Sequence, residues 1–300
     1  MPRIVFFGTD DFSVPSLQAL IKEGFDIIAV VTKPDSPSGR GKKIVPSPIA
    51  KVAKNNSLSM LQPEKIDNEF VEKLKKLSAD AGVLVSYGKI LPQEVLDVFP
   101  HGIINVHPSL LPKYRGPSPI ETAILNGDEE TGVTLMELDS GMDSGPIFLQ
   151  ETVQLNQTET RTELYESLGS IGANMLAENL GEIISGQIKS TLQNENDVSS
   201  TQLILKADGL LSKDKMNQPA EKIERIIRAY QGWPGVRLED NTQIIEARLL
   251  DGEKFTPGEV KIEGDKMLIG TSTDAIEVLR LKPAGKNEMG VEEFLRGNRA

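Results

Sequence analysis

Asn105 and His107 stand two residues apart at the end of the apolar run "GIINVH", and two carboxylates, Asp139 and Asp143, follow in the Gly/Ser-rich stretch "MELDSGMDSGPI". Residues two apart on a strand share a face, so the carboxamide and the imidazole are expected to emerge side by side. Histidine holds a proton near neutral pH and can present it to a developing oxyanion. An asparagine amide can donate a second hydrogen bond to the same oxygen. An aspartate beside the ring favours its charged form and can help collect a proton from an attacking amine. The chain has no cysteine, and no serine or threonine stands in an obvious nucleophile elbow. The set therefore fits direct attack of one substrate on another, through a tetrahedral intermediate, better than a covalent enzyme intermediate. Read singly, each residue is weak evidence, since an aspartate in a Gly-rich turn usually serves the turn. His101, before a glycine at a strand start, reads as structural.

Pro108 and Pro112 follow His107 at once and forbid regular pairing there. Between them "SLLP" puts two leucines on irregular chain, where they could wall an apolar pocket for a flat aromatic ligand. The elements that must position these groups are legible from periodicity. "RIVFFG", "DIIAVVT", "AGVLVS" and "GIINVH" read as buried strands. "VPSLQALIKEG", "EFVEKLKKL" and the segment from "SPIETAILNG" read as helices between or after them. This alternation predicts a mostly parallel, doubly covered sheet, with the ligand at the C-terminal edge of its strands. "TGVTLMEL" and "IFLQETVQL" are two further strands, and a long helix is expected over about 160–184. Beyond it, "KIERIIRAY" reads as a short helix. "TQIIEARLL", "GEVKIEG", "KMLIGTS" and "AIEVLRLK" read as strands of a small antiparallel barrel. The expected organisation is a Rossmann-like α/β domain over 1–189, a linker over 190–207 and an OB-like β-barrel domain over 208–300.

Composition narrows the function classes. At 300 residues the chain exceeds one ordinary core. Without cysteine there is no disulfide, thiolate or cysteine–zinc site, and no metal is expected. After the first strand comes "FFGTDDFSVPS", where only Gly8 stands where a dinucleotide fingerprint needs three glycines. No phosphate-binding loop ending in Gly-Lys-Ser/Thr occurs, so neither a nicotinamide nor an ATP cofactor is expected. "MPRIVFFG" enters a strand directly, without the sections of a signal peptide. No apolar run reaches the ~20 residues of a membrane helix, so a cytoplasmic protein without membrane contact is expected. The net charge of −11 argues at first sight against a polyanionic partner. It is unevenly spread: residues 1–208 carry 18 Lys and Arg against 28 Asp and Glu, whereas residues 209–300 carry 15 against 16. The last third could therefore present a local basic face.

"INVHPSLLPKYRGPSPI" resembles the signature of the folate-dependent formyltransferases, and "MDSGP" their Asp-x-Gly turn. The resemblance implies a catalytic set of Asn105, His107 and Asp143, and so prefers Asp143 to Asp139. It implies 10-formyltetrahydrofolate as cosubstrate, held by Ser109, Leu110, Leu111 and Pro112, by the "VSYGKILP" segment with Tyr87, Gly88 and Ile90, and by Asp139. The opening "RIVFFGTDDFSVPSLQAL", "IRAYQGWPG" and "LKPAGKNEMGVEEFLRG" resemble the branch of the family that formylates the α-amino group of initiator methionyl-tRNA for translation initiation. In that branch a basic insertion contacts the tRNA acceptor end. Here it corresponds to "TKPDSPSGRGKKIVPSP", with Arg40, Lys42 and Lys43. "TDDF" departs from the family's Thr-Pro-Glu-Phe, and 194–216 matches poorly. A monomer is expected. Two other readings are an N-formyltransferase acting on an amino-sugar nucleotide and a non-enzymatic RNA-binding protein.

Overall fold

The computed structural model describes residues 1–38, 41 and 43–297. Its elements run β1 (Arg3–Gly8), α1 (Val14–Lys22), β2 (Asp26–Val31), β3 (Ser36–Ser38), β4 (Lys43–Val45), α2 (Pro48–Asn55), β5 (Met60–Leu61), α3 (Asn68–Leu77), β6 (Ala81–Val85), α4 (Gln93–Leu96), β7 (Ile103–His107), α5 (Pro119–Asn126), β8 (Glu130–Glu137), β9 (Ile147–Gln154) and α6 (Arg161–Ile184). There follow α7 (Lys213–Met216), α8 (Ala220–Ala229), β10 (Val236–Arg237), β11 (Gln243–Leu250), β12 (Val260–Glu263), β13 (Lys266–Gly270), β14 (Ala275–Lys282), β15 (Met289–Gly290) and α9 (Val291–Gly297). The chain divides into two compact units. The first comprises residues 1–116, 131–153 and 165–201; the second comprises 117–130, 154–164 and 202–300. Residues 190–201, read from the sequence as linker, pack within the first.

The first unit is built on a seven-stranded, Rossmann-like sheet of order β5-β2-β1-β6-β7-β8-β9. β1 pairs in parallel with β2 and β6, and β7 in parallel with β6. β8 turns the direction, running antiparallel to β7 with Thr134 opposite His107. The strands read as unbroken apolar runs because both faces are covered: five successive residues of β1 are buried. One face packs Val5, Phe7, Val31, Phe70, Leu74 and Ile103. On β7 the other face meets α6, where Gly172 permits the approach. A Cβ there would sit 2.5 Å from Val106 Cγ1. The helices start where the sequence supplies caps. Ser47 accepts from the Ala50 amide at 3.0 Å and Asp67 from the Phe70 amide at 3.1 Å. Because β1, β6 and β7 are parallel, Gly8, Val85 and His107 end together along one edge.

Inside the Pro/Gly-rich stretch after β2, the strands β3 and β4 form a small antiparallel hairpin that periodicity did not reveal. The second unit carries an antiparallel sheet of order β10-β11-β14-β13-β12, with β15 on β14. Its core gathers Leu211, Ile223, Ile227, Ile244, Ile276 and Leu281. α8 contributes its apolar face to that core, and α5 lies against α8. No helix among the described residues is long and apolar enough to cross a membrane.

Candidate active site

β7 delivers Asn105 and His107 to the edge of the parallel strands, both 5% exposed. The ring of His107 is held from one side by the Tyr114 carbonyl, 3.0 Å from Nε2. A carbonyl only accepts, so Nε2 carries a proton and Nδ1 is the nitrogen left for chemistry. Nδ1 lies 3.8 Å from Asp143 Oδ2, an ion-pair separation longer than a hydrogen bond. That carboxylate oxygen accepts instead from the Gly116 amide at 2.8 Å. The carboxamide of Asn105 has no hydrogen-bond partner among the described residues. A donor so placed, two residues before His107 on the same strand, can meet an oxygen that becomes negative.

The loops that bring these groups together are tied by polar side chains. Thr134, opposite His107 in register, donates through Oγ1 to the Ser109 carbonyl at 2.6 Å and accepts from the Leu111 amide at 3.2 Å. Gln150 Nε2 donates to the Leu111 carbonyl at 2.8 Å and to Thr134 Oγ1 at 2.9 Å. Ser109 Oγ donates to the Lys113 carbonyl at 2.7 Å. Together they shape the irregular loop that Pro108 and Pro112 begin, with a cis bond before Pro112. Asp143 sits in the left-handed region at φ +50°. Gln193 holds its carbonyl and that of Gly145, each at 2.8 Å. Gly145 lets the loop close on β8, since a Cβ would fall 1.9 Å from the Glu137 carbonyl oxygen.

The residues expected to bind folate fall into different places. Leu110 and Pro112 are partly exposed on the loop, whereas Ser109 and Leu111 are buried. Gly88, at φ +70°, is exposed beside Lys33 Nζ, and Ile90 is 84% exposed. Tyr87 differs from the expectation. Its side chain is 0% exposed and packs edge-on to Phe7 in the core, 5.7 Å between ring centres. Burial pushes its phenol up to about 12. Its hydroxyl lacks a partner among the described residues. Period-two patterning cannot tell a pocket wall from core at a strand's end, and here the core takes the ring. Asp139 is engaged locally: Oδ1 accepts from the Gly141 amide at 3.0 Å and both oxygens from Ser144 Oγ at 2.9 and 2.8 Å. That is turn chemistry.

Of the three basic residues assigned to tRNA, Lys43 is exposed at the start of β4; Arg40 and Lys42 lie outside the described residues. Among those residues no group of three or more His, Asp or Glu side chains is arranged to hold a metal ion. A surface cavity of about 450 Å³ lined by Gln62, Asp67, Phe70 and Lys73 contains none of Asn105, His107 and Asp143. The sequence reading missed Tyr114, Gly116, Thr134, Gln150 and Gln193. Tyr114 and Gly116 stood inside the quoted motif, but they act through backbone atoms, which leave no mark on residue type. Gln193 stands in a polar stretch without pattern.

The formyl transferase family matches residues 2–180, and the formyl transferase C-terminal domain matches residues 206–299. The methionyl-tRNA formyltransferase of Thermodesulfovibrio yellowstonii is 39% identical over 300 residues, covering 99% of this chain and 96% of its own. That of Halorhodospira halophila is 39% identical over 302 residues, with the same coverage of 99% and 96%. Among solved structures, WlaRD, a sugar 3N-formyl transferase seen with dTDP and 5-N-formyl-THF, has a TM-score of 0.70 at 22% identity, covering 96% of this chain and 99% of that one. HypX from Aquifex aeolicus, in complex with tetrahydrofolic acid, has a TM-score of 0.63 at 16% identity, covering 98% and 47%. At those identities the structures speak for the fold alone. With both family domains matched in order, and relatives of 39% identity along almost its whole length, the chain belongs to the formyl transferase family.

Proposed function

We propose that Asn105, His107 and Asp143 carry the transfer of a formyl group from 10-formyltetrahydrofolate to the α-amino group of initiator methionyl-tRNA. The observation that carries this reading is the open imidazole–carboxylate pair. Nε2 of His107 is committed to a carbonyl, while Nδ1 faces Asp143 without a direct bond. The folate supplies an activated one-carbon carbonyl. His107, protonated on both nitrogens, donates from Nδ1 to the formyl oxygen as charge develops there, and Asn105 donates its amide to the same oxygen. Asp143, steadied by the Gly116 amide, stabilises the charged ring and takes part in passing the proton of the attacking amine to the folate nitrogen that leaves as its bond to the formyl carbon breaks. The residues present fit the folate. An exposed Ile90, a left-handed glycine at 88 and the partly exposed Leu110 offer apolar and backbone surface, and the unpartnered Asn105 amide offers a donor.

Sequence similarity favours charged tRNA as acceptor, because it extends through the C-terminal domain. Lys43 and its basic neighbours would meet phosphates, each neutralised phosphate adding about one unit to the log–log salt slope. One unit of one chain contributes all three catalytic side chains, so the proposed chemistry needs no second copy, and a monomer is proposed. A cytoplasmic location accompanies a role on initiator tRNA. A second reading, an amino-sugar nucleotide as acceptor, draws on the fold shared with WlaRD. The test offers charged initiator methionyl-tRNA and a dTDP-amino sugar side by side with 10-formyltetrahydrofolate. Formylation of the tRNA is expected; formylation of the sugar alone would replace this reading.

A further inference from the structure

No direct bond fixes the separation of His107 and Asp143, so it is set by the backbones on either side. Asp143 has a left-handed backbone, which residues other than glycine seldom hold without support. The support comes from Gln193. Both of its amide hydrogens go to the Asp143 loop, to the carbonyls of residues 143 and 145. Its Oε1 accepts from Arg115 Nε at 3.0 Å. Arg115 is 8% exposed and is gripped in turn by Glu195, with Nη2 2.8 Å from Oε1. This pairing holds the Glu195 carboxyl below the ordinary carboxylate range.

The same short stretch also holds the opposite support. The Arg115 amide donates to the Ser199 carbonyl at 2.9 Å, and the Arg115 carbonyl accepts from the Thr201 amide at 2.8 Å. Ser199 Oγ accepts from the Tyr114 amide at 2.9 Å. Tyr114 orients the ring of His107, and Gly116 orients the carboxylate of Asp143. Residues 193–201 thus brace both sides of the pair.

We infer that Gln193 is a positioning residue: by clamping the carbonyls of Asp143 and Gly145 it sets the distance between Asp143 and His107, and through it the rate of formyl transfer. This rests on the catalytic role given to Asp143 above. The test measures kcat and KM for both substrates in Gln193→Met, which keeps length and bulk, and in Gln193→Glu, which keeps an acceptor for Arg115 but loses both donors. Each is combined with Asp143→Asn. In the parental background kcat should fall about tenfold to a hundredfold with KM unchanged. In the Asp143→Asn background the same changes should cost little more, because Gln193 acts through that carboxylate. Parental kcat in both Gln193 variants, or an equal loss in the two backgrounds, overturns the inference. If Asp143→Asn alone keeps parental kcat, the catalytic role of Asp143 fails first and the inference falls with it.

Discussion

The two units bury polar groups to different ends. In the second, Glu121 accepts from Arg161 Nε at 2.6 Å and Glu277 from Arg248 Nη2 at 2.8 Å, while Ser118 Oγ donates to the Gln202 carbonyl at 2.5 Å. These pairs are closed: donor meets acceptor within the protein. In the first unit the Asn105 carboxamide has no partner among the described residues, and His107 keeps Nδ1 3.8 Å from a carboxylate. Neither group is among the sealed unpartnered atoms, which are Asp10 Oδ1, Ser16 Oγ and the Tyr87 hydroxyl, so a ligand can reach both and complete the pairing. Burial of polar residues alone does not mark the site; burial with an open valence does. Tyr87, Asp10 and Ser16 qualify the rule, since the Tyr87 hydroxyl, Asp10 Oδ1 and Ser16 Oγ lack partners among the described residues yet are sealed from a ligand. Openness and reach are both required.

The contrast can be broken most sharply at the open pair. His107→Ala and Asn105→Ala should each lower kcat per folded molecule by about 10²–10³-fold. Steady-state formylation with charged tRNA measures this, and near-parental rates in either variant would dissolve the distinction between the units. A smaller effect of the opposite kind is expected at a closed pair. Glu277→Gln should lower stability by about 1–3 kcal/mol in urea unfolding while leaving kcat per folded molecule unchanged, because the Arg248 contact it weakens serves only the sheet. The smallest effect concerns the sealed hydroxyl. Burial raises the Tyr87 phenol to about 12, above its unfolded value near 10. The native state therefore keeps a proton that the unfolded state loses. This contribution is complete below pH ~10 and is lost as pH rises through about 12. Tyr87→Phe should remove that alkaline decline and, by deleting an unpaired hydroxyl, gain about 1 kcal/mol at neutral pH. Unfolding midpoints at pH 8 and pH 11 measure both, and an unchanged alkaline slope would show the ring to be solvated.

Local order was legible because it is short-ranged. β1, β2, β6 and β7 announce themselves as apolar runs buried on both faces, and α6 begins within a residue of its expected start. The side-by-side exit of Asn105 and His107 follows from strand geometry, and Asp143 from the formyltransferase motif. The β3–β4 hairpin stayed hidden because prolines and glycines mask a pattern only three residues long on each side. Asp139 and Asp143 look alike in sequence. Only the folded loop turns one onto Gly141 and Ser144 and the other toward His107.

The amino-acid sequence by itself determined the longer strands and helices, the α/β and antiparallel classes of the two units, and the residue types that can stabilise an oxyanion, since each depends on neighbours a few positions away. The tertiary structure alone decided which ring nitrogen of His107 is free, that Tyr87 belongs to the core, and that Gln193 clamps a loop 50 residues distant. Those choices depend on where remote backbone carbonyls and amides come to lie, and a backbone group is the same at every residue until the chain has folded.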